Sequence, residues 1–232
     1  MLIDEKRTVE EDYASATTSS DLRVESERRG DADVIIAAGM SKSVAGACFI
    51  RLHGEWSGAE KPRLSSPEAI KKLADSLTFD QIVRLRTELK LGSIGNMKPS
   101  PVLAETAARA AARAWYVAEV ELLLGKLKSF RPALGFLVAR MQKWDNRPEP
   151  MLRQACTEVL IWWLDRQCKV CNGTKWEVAA GSNRHSNRPC TGCRGTGLSK
   201  LPRMDDGRRL SNYLDDCCQI ARTSIKQRLR RE

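Results

Sequence analysis

Four of the eight cysteines in this 232-residue chain stand in two C-x-x-C pairs, and eighteen residues separate the pairs. The four members are Cys168, Cys171, Cys190 and Cys193. Zinc is held by four soft or borderline ligands at tetrahedral corners, and two C-x-x-C turns at this spacing are typical of closed structural sites. Because four cysteines leave no open coordination position, the spacing predicts one structural zinc ion.

Other chemistry fits these residues less well. A redox C-x-x-C would need only one pair, in a βαβ context. His53 and Glu55 with residues 189–193 formally match the H-x-E and P-C-x-x-C signature of zinc deaminases, but Cys168 and Cys171 complete a four-cysteine site far better. The sequence contains no nucleophile elbow, Walker loop or H-E-x-x-H motif. We therefore predict that the protein is not an enzyme and has no catalytic residues.

The remaining four cysteines stand among apolar or helical neighbours: Cys48, Cys156, Cys217 and Cys218. The first residues of the chain are acidic and lack the apolar region of a signal peptide, so we expect a reducing cytoplasm, where disulfides are rare. A free cysteine behaves there as a small hydrophobic residue. We expect these four thiols to pack rather than to bind metal.

The composition is globular, with a surplus of basic residues. Hydrophobic residues make up 42% of the chain and charged residues 29%, and the formal net charge is +10. No apolar run of about 18 residues is present, which argues against a membrane-spanning helix. From residue 166 onward the chain holds fifteen Lys or Arg against six Asp or Glu. This surplus favours a polyanionic partner, with nucleic acid as the first candidate.

Apolar periodicity and helix-start signals predict a mainly α fold. The expected architecture is a helical bundle with an inserted four-cysteine, zinc-ribbon-like β-hairpin and a C-terminal helix-turn-helix-like segment. Five regions are predicted: a disordered acidic tail (1–30), short N-terminal helices (31–60), a helical bundle (61–167), the four-cysteine zinc element (168–199) and basic C-terminal helices (200–232).

Three helix starts are marked by local sequence. A hydroxyl side chain that can satisfy the free N–H groups of a first helical turn stands at Ser66, Thr78 and Ser100. Gly92 is expected to end the helix that begins at Thr78. Two further helices are predicted over 132–144 and 150–166. Three tryptophans are expected to anchor the core: Trp115, Trp162 and Trp163.

The segment between the cysteine pairs predicts a short β-hairpin, because Trp176 and Val178 alternate with polar residues and Gly-Ser-Asn follows at 181–183. The second pair reads C-x-x-C-x-G-x-G, whereas the first has Lys175 at the last position. This resembles the zinc repeats of DnaJ-type chaperones, although only two repeats are present and the His-Pro-Asp tripeptide of a J domain is absent. A DnaJ-like polypeptide-binding module is therefore one alternative.

The last helical stretch has two interpretations. As one amphipathic helix it carries an apolar stripe: Leu210, Tyr213, Leu214, Cys217, Ile220, Ala221, Ile225 and Leu229. As a helix-turn-helix it turns at Gln219 and Ile220, and residues 221–229 form a recognition helix. The second interpretation is preferred. It predicts that six residues meet phosphates and base edges: Arg222, Thr223, Ser224, Lys226, Gln227 and Arg228.

Several segments together resemble the late-gene antitermination protein Q family of lambdoid phages. They are the DVIIAAGMSKSVAG string that begins at Asp33, the paired C-x-x-C-x-G knuckles around a basic hairpin, and the GLSKLP string at 197–202. The resemblance covers residues 31–232. It implies a transcription regulator in the bacterial cytoplasm that binds double-stranded DNA of a late promoter. The regulator then joins RNA polymerase paused with its primary sigma factor and makes it read through downstream terminators.

Under this resemblance, basic side chains around the knuckles attract phosphates, and the helical middle is left for contact with the polymerase. The predicted phosphate contacts are Arg184, Arg188, Arg194, Lys200, Arg203, Arg208 and Arg209. Two other function classes stay open. One is a zinc-containing DNA-binding repressor or activator without antitermination, and the other is the polypeptide-binding module.

Overall fold

A computed structural model describes residues 8–20, 22, 30–89, 100–171, 173–178 and 185–229. Within these ranges the chain forms nine α-helices and one antiparallel pair of strands, which confirms the predicted mainly α fold with an inserted hairpin. The elements are α1 (Val9–Thr18), α2 (Asp31–Gly39), α3 (Val44–Gly58), α4 (Pro67–Ser76), α5 (Phe79–Glu88), α6 (Pro101–Lys126), α7 (Phe130–Met141), α8 (Glu149–Leu164), β1 (Trp176–Val178), β2 (His185–Pro189) and α9 (Met204–Leu229). Among the described helices, none combines the length and apolar character needed to cross a membrane.

The chain divides into two compact units. Unit 1 consists of Met1–Gly58 and Lys128–Glu232, and unit 2 is Ala59–Leu127. The division runs through the bundle predicted for residues 61–167. Its physical reason is that α7 packs on α3 and α8 packs on α9, whereas α4 and α5 pack on α6. Two helical groups therefore replace the single predicted bundle.

Helix α9 is the central element of unit 1, where it contacts α2, α3 and α8. The fully buried side chains of this unit include Phe49, Leu52, Leu137, Leu160, Leu210, Leu214 and Ile225. Trp163 is also buried, so its predicted role in the core is confirmed, and Trp162 is half-buried. Gly46 of α3 lies close against α9, since an added Cβ would lie 1.9 Å from the carbonyl oxygen of Cys217.

Helix α9 runs without interruption over Met204–Leu229, so the predicted helix-turn-helix is wrong and the alternative of one amphipathic helix is correct. The expected turn residues, Gln219 and Ile220, are exposed helical residues, although the predicted stripe had counted Ile220 among its apolar members. No glycine or proline stands at this point, and the buried Leu214 and Ala221 continue one face across it. A turn here would expose that face to water.

Helix α1 occupies Val9–Thr18, where a disordered tail was predicted. Thr8 and Glu11 form a reciprocal capping box at its start. Tyr13 and Ala16 are buried as α1 packs on α2 and α3, because they share one helix face with Val9. The sequence therefore contained both the cap and the stripe of a docked helix. Outside the described residues lie other parts of the predicted tail: 1–7, 21 and 23–29.

The helices of unit 2 begin where the sequence predicts. The side chains of their N-cap residues accept an N–H bond from the first turn at Ser66, Thr78 and Ser100. Ile82 of α5 packs with Leu103 and Ala107 of α6 in a small core. Gly92, which was expected to end α5, lies outside the described residues. Trp115 is 51% exposed on α6, so the prediction that it anchors a core is wrong.

A carboxylate of α3 caps the start of α7. The buried Ser129 donates its backbone N–H and its hydroxyl to Glu55 at 3.0 and 2.9 Å. The substitution Glu55→Ala leaves both donors without this acceptor, so we expect the free energy of unfolding to fall by about 1–3 kcal/mol in urea denaturation. The control Glu105→Ala removes an exposed ion pair with Arg109 and should cost at most about 0.5 kcal/mol. Equal losses in the two variants would contradict the capping role.

Candidate metal centre and the surface around it

The four predicted cysteines come together in one buried cluster. Their sulfur atoms all lie within 4.8 Å of one another. The sulfurs of Cys168 and Cys190 are 4.0 Å apart, and those of Cys171 and Cys193 are 3.7 Å apart. A tetrahedral ion at about 2.3 Å from each thiolate requires sulfur separations of about 3.8 Å. The cluster could therefore hold one metal ion.

The cluster is built from two knuckles, residues 168–175 and 190–197, whose described residues form equivalent hydrogen bonds. In each knuckle a threonine, Thr174 or Thr196, donates both its backbone N–H and its hydroxyl to the carbonyl oxygen of the second cysteine. The N–H bonds are 3.0 and 3.2 Å long, and the hydroxyl bonds are 2.7 and 2.9 Å long. These bonds tie the second cysteine of each pair to the threonine three residues further along the chain, so local hydrogen bonds fix that cysteine in each knuckle.

The two knuckles also exchange one backbone hydrogen bond in each direction. The N–H of Cys168 donates to the carbonyl oxygen of Gly197, and the N–H of Cys190 donates to that of Lys175, both at 2.9 Å. Equivalent cysteines are 22 residues apart in the sequence. The knuckles are therefore related by an approximate two-fold symmetry about the sulfur cluster.

The knuckles share two left-handed backbone positions. In the second knuckle these are Gly195 and Gly197, with φ of 84° and 77°, and in the first they are Gly173 and Lys175, with φ of 80° and 74°. This conformation destabilises a residue with a side chain by about 1–2 kcal/mol, whereas glycine adopts it freely. Gly197 also lacks room, because a Cβ would lie 2.9 Å from the carbonyl oxygen of Gly173. Lys175 is therefore strained where its counterpart is glycine.

The second knuckle favours the thiolate of Cys193. Burial acts to raise the pKa of this thiol, but hydrogen bonds from the Gly197 N–H, from Cys171 and from the Gly195 N–H lower the pKa to about 6. The Gly197 nitrogen lies 3.2 Å from the Cys193 sulfur. Because metal ions bind the thiolate rather than the thiol, these backbone N–H groups prepare the sulfur as a ligand.

The other four cysteines are placed as packing residues. Cys156, Cys217 and Cys218 are buried, and Cys48 is half-buried. Burial raises the pKa of Cys156 to about 12 and that of Cys48 to about 11. Both thiols therefore stay protonated at neutral pH, in agreement with the small hydrophobic role predicted for them.

We call residues 166–200 the knuckle module, and it is anchored to α8 and α9. The Ser199 N–H donates to the carbonyl oxygen of Arg166 at 2.8 Å, and the Trp162 indole N–H donates to the carbonyl oxygen of Ser199 at 3.0 Å. Asp215 of α9 accepts a hydrogen bond from the Arg166 guanidinium at 3.0 Å. Sequence reasoning missed Asp215, because no local motif shows that α9 brings it next to the end of α8.

The predicted phosphate contacts fall into three groups. Exposed side chains are found at Arg188, Arg194, Lys200 and Arg208. Arg203 donates two 2.7 Å hydrogen bonds to Glu158, and the Arg209 guanidinium lies over the Trp144 ring, 5.9 Å from its centroid. These two cations already have partners within the protein, and Arg208 lies 3.9 Å from the Asp205 carboxylate. Arg184 lies outside the described residues.

The predicted base contacts on α9 are only partly at the surface. Ser224 is buried, and its hydroxyl accepts the N–H of Lys42 at 3.3 Å, so the prediction that Ser224 contacts DNA is wrong. Its helical position faces the core because α9 continues past the expected turn. Arg222 is half-buried. Exposed side chains are found at Thr223, Lys226, Gln227 and Arg228.

The knuckle module carries a cationic surface with exposed apolar groups. Its sequence holds seven Lys or Arg and a single acidic residue, Glu177. Two of these cations form ion pairs, Arg166 with Asp215 and Lys169 with Asp165, and Arg184 lies outside the described residues. Exposed apolar side chains within it are Val170, Trp176 and Leu198. Lys175 and Trp176 are exposed neighbours that sequence reasoning left out of the contact set, although a basic residue beside an aromatic one was a visible signal.

No significant match was found to any protein-family model, to any curated protein or to any solved structure.

Proposed function

We propose that this protein is a zinc-containing, DNA-binding transcription regulator that acts as an antitermination factor. The observation that carries the proposal is the buried four-cysteine cluster, whose two knuckles support a cationic surface. Zinc suits four thiolates in a closed tetrahedral site, and in small zinc modules it supplies about 10 kcal/mol of folding free energy. Among the residues of the knuckle module that the structure describes, the buried cluster consists of the four cysteines. The metal role is structural.

Duplex DNA is the partner that the charge distribution favours. Lys and Arg contacts to phosphates release condensed counterions, and this supplies most of the sequence-independent affinity. Arg188, Arg194 and Lys200 place three exposed cations on the knuckle module. The solvent face of α9 adds Lys226 and Gln227, whose side chains suit phosphates and base edges.

The antitermination role rests on the resemblance to the Q family in the string from Asp33, in the knuckles and in the string at 197–202. Under this role the knuckle module binds late-promoter DNA, and the helices of unit 2 contact RNA polymerase paused with its sigma factor. Transcription in vitro from the cognate phage late promoter through a terminator tests it. We expect read-through only when the protein is added. Promoter binding without read-through would identify a plain repressor or activator instead.

Removing two cations of the module is expected to weaken duplex binding and its salt dependence. In the double variant Arg188→Ala and Arg194→Ala, the slope of log K against log salt concentration should fall by about 2, because each phosphate contact contributes about 0.9. Fluorescence anisotropy of a labelled promoter duplex measures this slope. The control variant, Arg109→Ala with Arg113→Ala on α6, changes the net charge equally but leaves the module intact. Identical slopes for the two variants would contradict the assignment.

Polypeptide binding is the second candidate, and the exposed Val170, Trp176 and Leu198 are the observation that favours it. Apolar contacts respond weakly to added salt, whereas phosphate-driven binding weakens steeply. Binding of an unfolded polypeptide that persists from about 50 to 200 mM salt, together with no binding of DNA, would select this candidate.

A further inference from the structure

We infer that Lys175, Trp176 and Arg188 form a binding site for unpaired nucleotides. The Trp176 indole stacks on one base, and the two cations contact the phosphates on either side of it. This inference deepens the proposed function and rests on it, since it assigns a single strand of nucleic acid to the same knuckle module.

Because the two knuckles are related by two-fold symmetry, a comparison of equivalent residues distinguishes those required for the metal site from those that are not. Both knuckles keep the cysteines, the first glycine and the threonine, which hold the sulfurs in place. Among the positions at which they differ are the two that follow the threonine. Lys175 occupies the position equivalent to Gly197, and Trp176 occupies the position equivalent to Leu198. At these two positions the first knuckle therefore carries a cation and a large aromatic ring, whereas the second knuckle, whose cation is Arg194, carries glycine and leucine.

Lys175 adopts a backbone conformation that is unfavourable for a residue with a side chain. Its φ is 74°, in the left-handed region where the equivalent residue of the second knuckle is glycine. The Lys175 side chain is exposed, so burial does not offset this strain. Strained residues that persist on a surface are concentrated at binding and catalytic sites. We attribute the lysine to contact with a ligand rather than to the fold.

Trp176 is the aromatic component of the site. Its side chain is 44% exposed, and its backbone pairs with Pro189 of β2. Leu198 occupies the equivalent position in the second knuckle, where it forms a β-bridge with Gln167. A leucine is therefore compatible with the backbone pairing at this position, and the pairing does not require the larger indole of Trp176. An exposed indole beside a cation is suited to stacking on a nucleobase.

The second cation is supplied by an irregular stretch of β2. Trp176 pairs with Pro189 and Val178 pairs with His185, so residues 186–188 all lie opposite the single residue Glu177. Such a bulge re-aims side chains and is common next to binding sites. Arg188 is exposed and directly precedes Pro189, the pairing partner of Trp176. Because the bulge interrupts the regular alternation of side chains, Arg188 is not confined to the face opposite its neighbour Pro189 and can share the face of Trp176.

Stacking of a base on the Trp176 indole requires that the bound nucleic-acid strand be unpaired. In a duplex each base face is covered by the neighbouring base pair, so an indole on a protein surface can reach only edges and phosphates. In a single strand the base faces are accessible, and stacking on an aromatic side chain tolerates any sequence. The predicted ligand is therefore a short single-stranded segment bound without strong sequence preference.

Anisotropy of fluorescein-labelled (dT)12 with the full-length, zinc-loaded protein tests the site. We expect Trp176→Leu to weaken (dT)12 binding about 10-fold or more, while binding of the promoter duplex changes less than about 2-fold. Leucine already stands at the equivalent position 198, so this variant is expected to fold and to retain zinc. The control Leu198→Ala truncates the equivalent exposed side chain of the other knuckle and should leave (dT)12 binding unchanged. A parallel titration with (rU)12 shows whether the site also accepts RNA, which has the same phosphate and base-face chemistry.

Lys175→Gly supplies a second test with two readouts of opposite sign. The variant relieves the left-handed strain, so the knuckle module should hold zinc more tightly against a competing chelator. It also removes a phosphate contact, so the salt slope for (dT)12 should fall by about 0.7. A lysine with a purely structural role would not produce this combination.

The outcomes separate this inference from the proposed function. Binding of the promoter duplex without binding of (dT)12 would overturn the single-strand site and leave the proposed function standing. Unchanged (dT)12 binding by Trp176→Leu would also overturn it. Failure to bind either form of DNA would overturn both. A protein that binds no DNA could instead bind a polypeptide, with equal weakening by Trp176→Leu and Leu198→Ala. This result would overturn the single-strand site and the proposed function, and it would assign the exposed apolar groups to polypeptide binding.

Discussion

Replacing Cys190 with serine is expected to reduce the bound metal from one ion per chain to none and to unfold the knuckle module. The Cys190 sulfur lies 4.0 Å from that of Cys168 inside the buried cluster, and a hydroxyl is a poor substitute for a thiolate ligand of zinc. Loss of the ion removes folding free energy of about 10 kcal/mol from the module. Binding to the promoter duplex should disappear with it.

The helices should largely survive this substitution, because their buried residues form cores that do not include the four cysteines. Metal analysis by mass spectrometry, gel shift of the promoter duplex and far-ultraviolet circular dichroism give the three readouts. The control is Cys48→Ser, a half-buried thiol outside the cluster that should retain one zinc per chain. A Cys190→Ser protein that shifts its promoter normally would contradict the metal-dependent surface.

Gly46→Ala is expected to lower the free energy of unfolding of unit 1 by about 2–3 kcal/mol, through overpacking. An alanine inside a helix is ordinarily more stable than a glycine by about 1 kcal/mol. At Gly46 the sign is reversed, because the added Cβ would lie 1.9 Å from the carbonyl oxygen of Cys217 and 2.9 Å from the Cβ of Ala221. Both contacts belong to α9, whose backbone cannot give way without disturbing the centre of the unit.

Urea denaturation followed by circular dichroism measures the change. Gly135→Ala on α7 is the matched control, since no heavy atom outside the helix lies within 4 Å of its added Cβ. The control should be stabilised by up to about 1 kcal/mol. Stabilisation of both variants would show that α3 and α9 do not approach each other as closely as described.

The strained Lys175 has a consequence for engineering this protein. Lys175→Gly should make the knuckle module more stable while weakening its nucleic-acid contact. Stability and binding are opposed at such positions because a ligand-contacting side chain has been kept in a conformation that strains the backbone. The second knuckle, with Gly197 at the same place, shows the form that the metal fold alone prefers.

Features that depend on neighbours within a few residues could be predicted from the sequence. The caps at Ser66, Thr78 and Ser100 each satisfy an N–H group about three residues away, so their presence follows from local chemistry. The two C-x-x-C turns are local in the same way. The capping box of α1 is also formed by residues close in sequence. A helix of ten residues is only marginally stable by itself, however, and α1 is stabilised by its packing on α2 and α3.

The sequence alone predicts the set of four cysteines, the starts of the unit 2 helices and the mainly α class. The continuity of α9, the burial of Ser224, the contact of Asp215 with Arg166 and the strain at Lys175 become visible only in the folded chain. The difference follows from the range of the interactions. Hydrogen-bonded caps and knuckle turns close over a few residues, whereas a buried face is defined by partners such as Lys42 and Ser224, 182 residues apart in the chain.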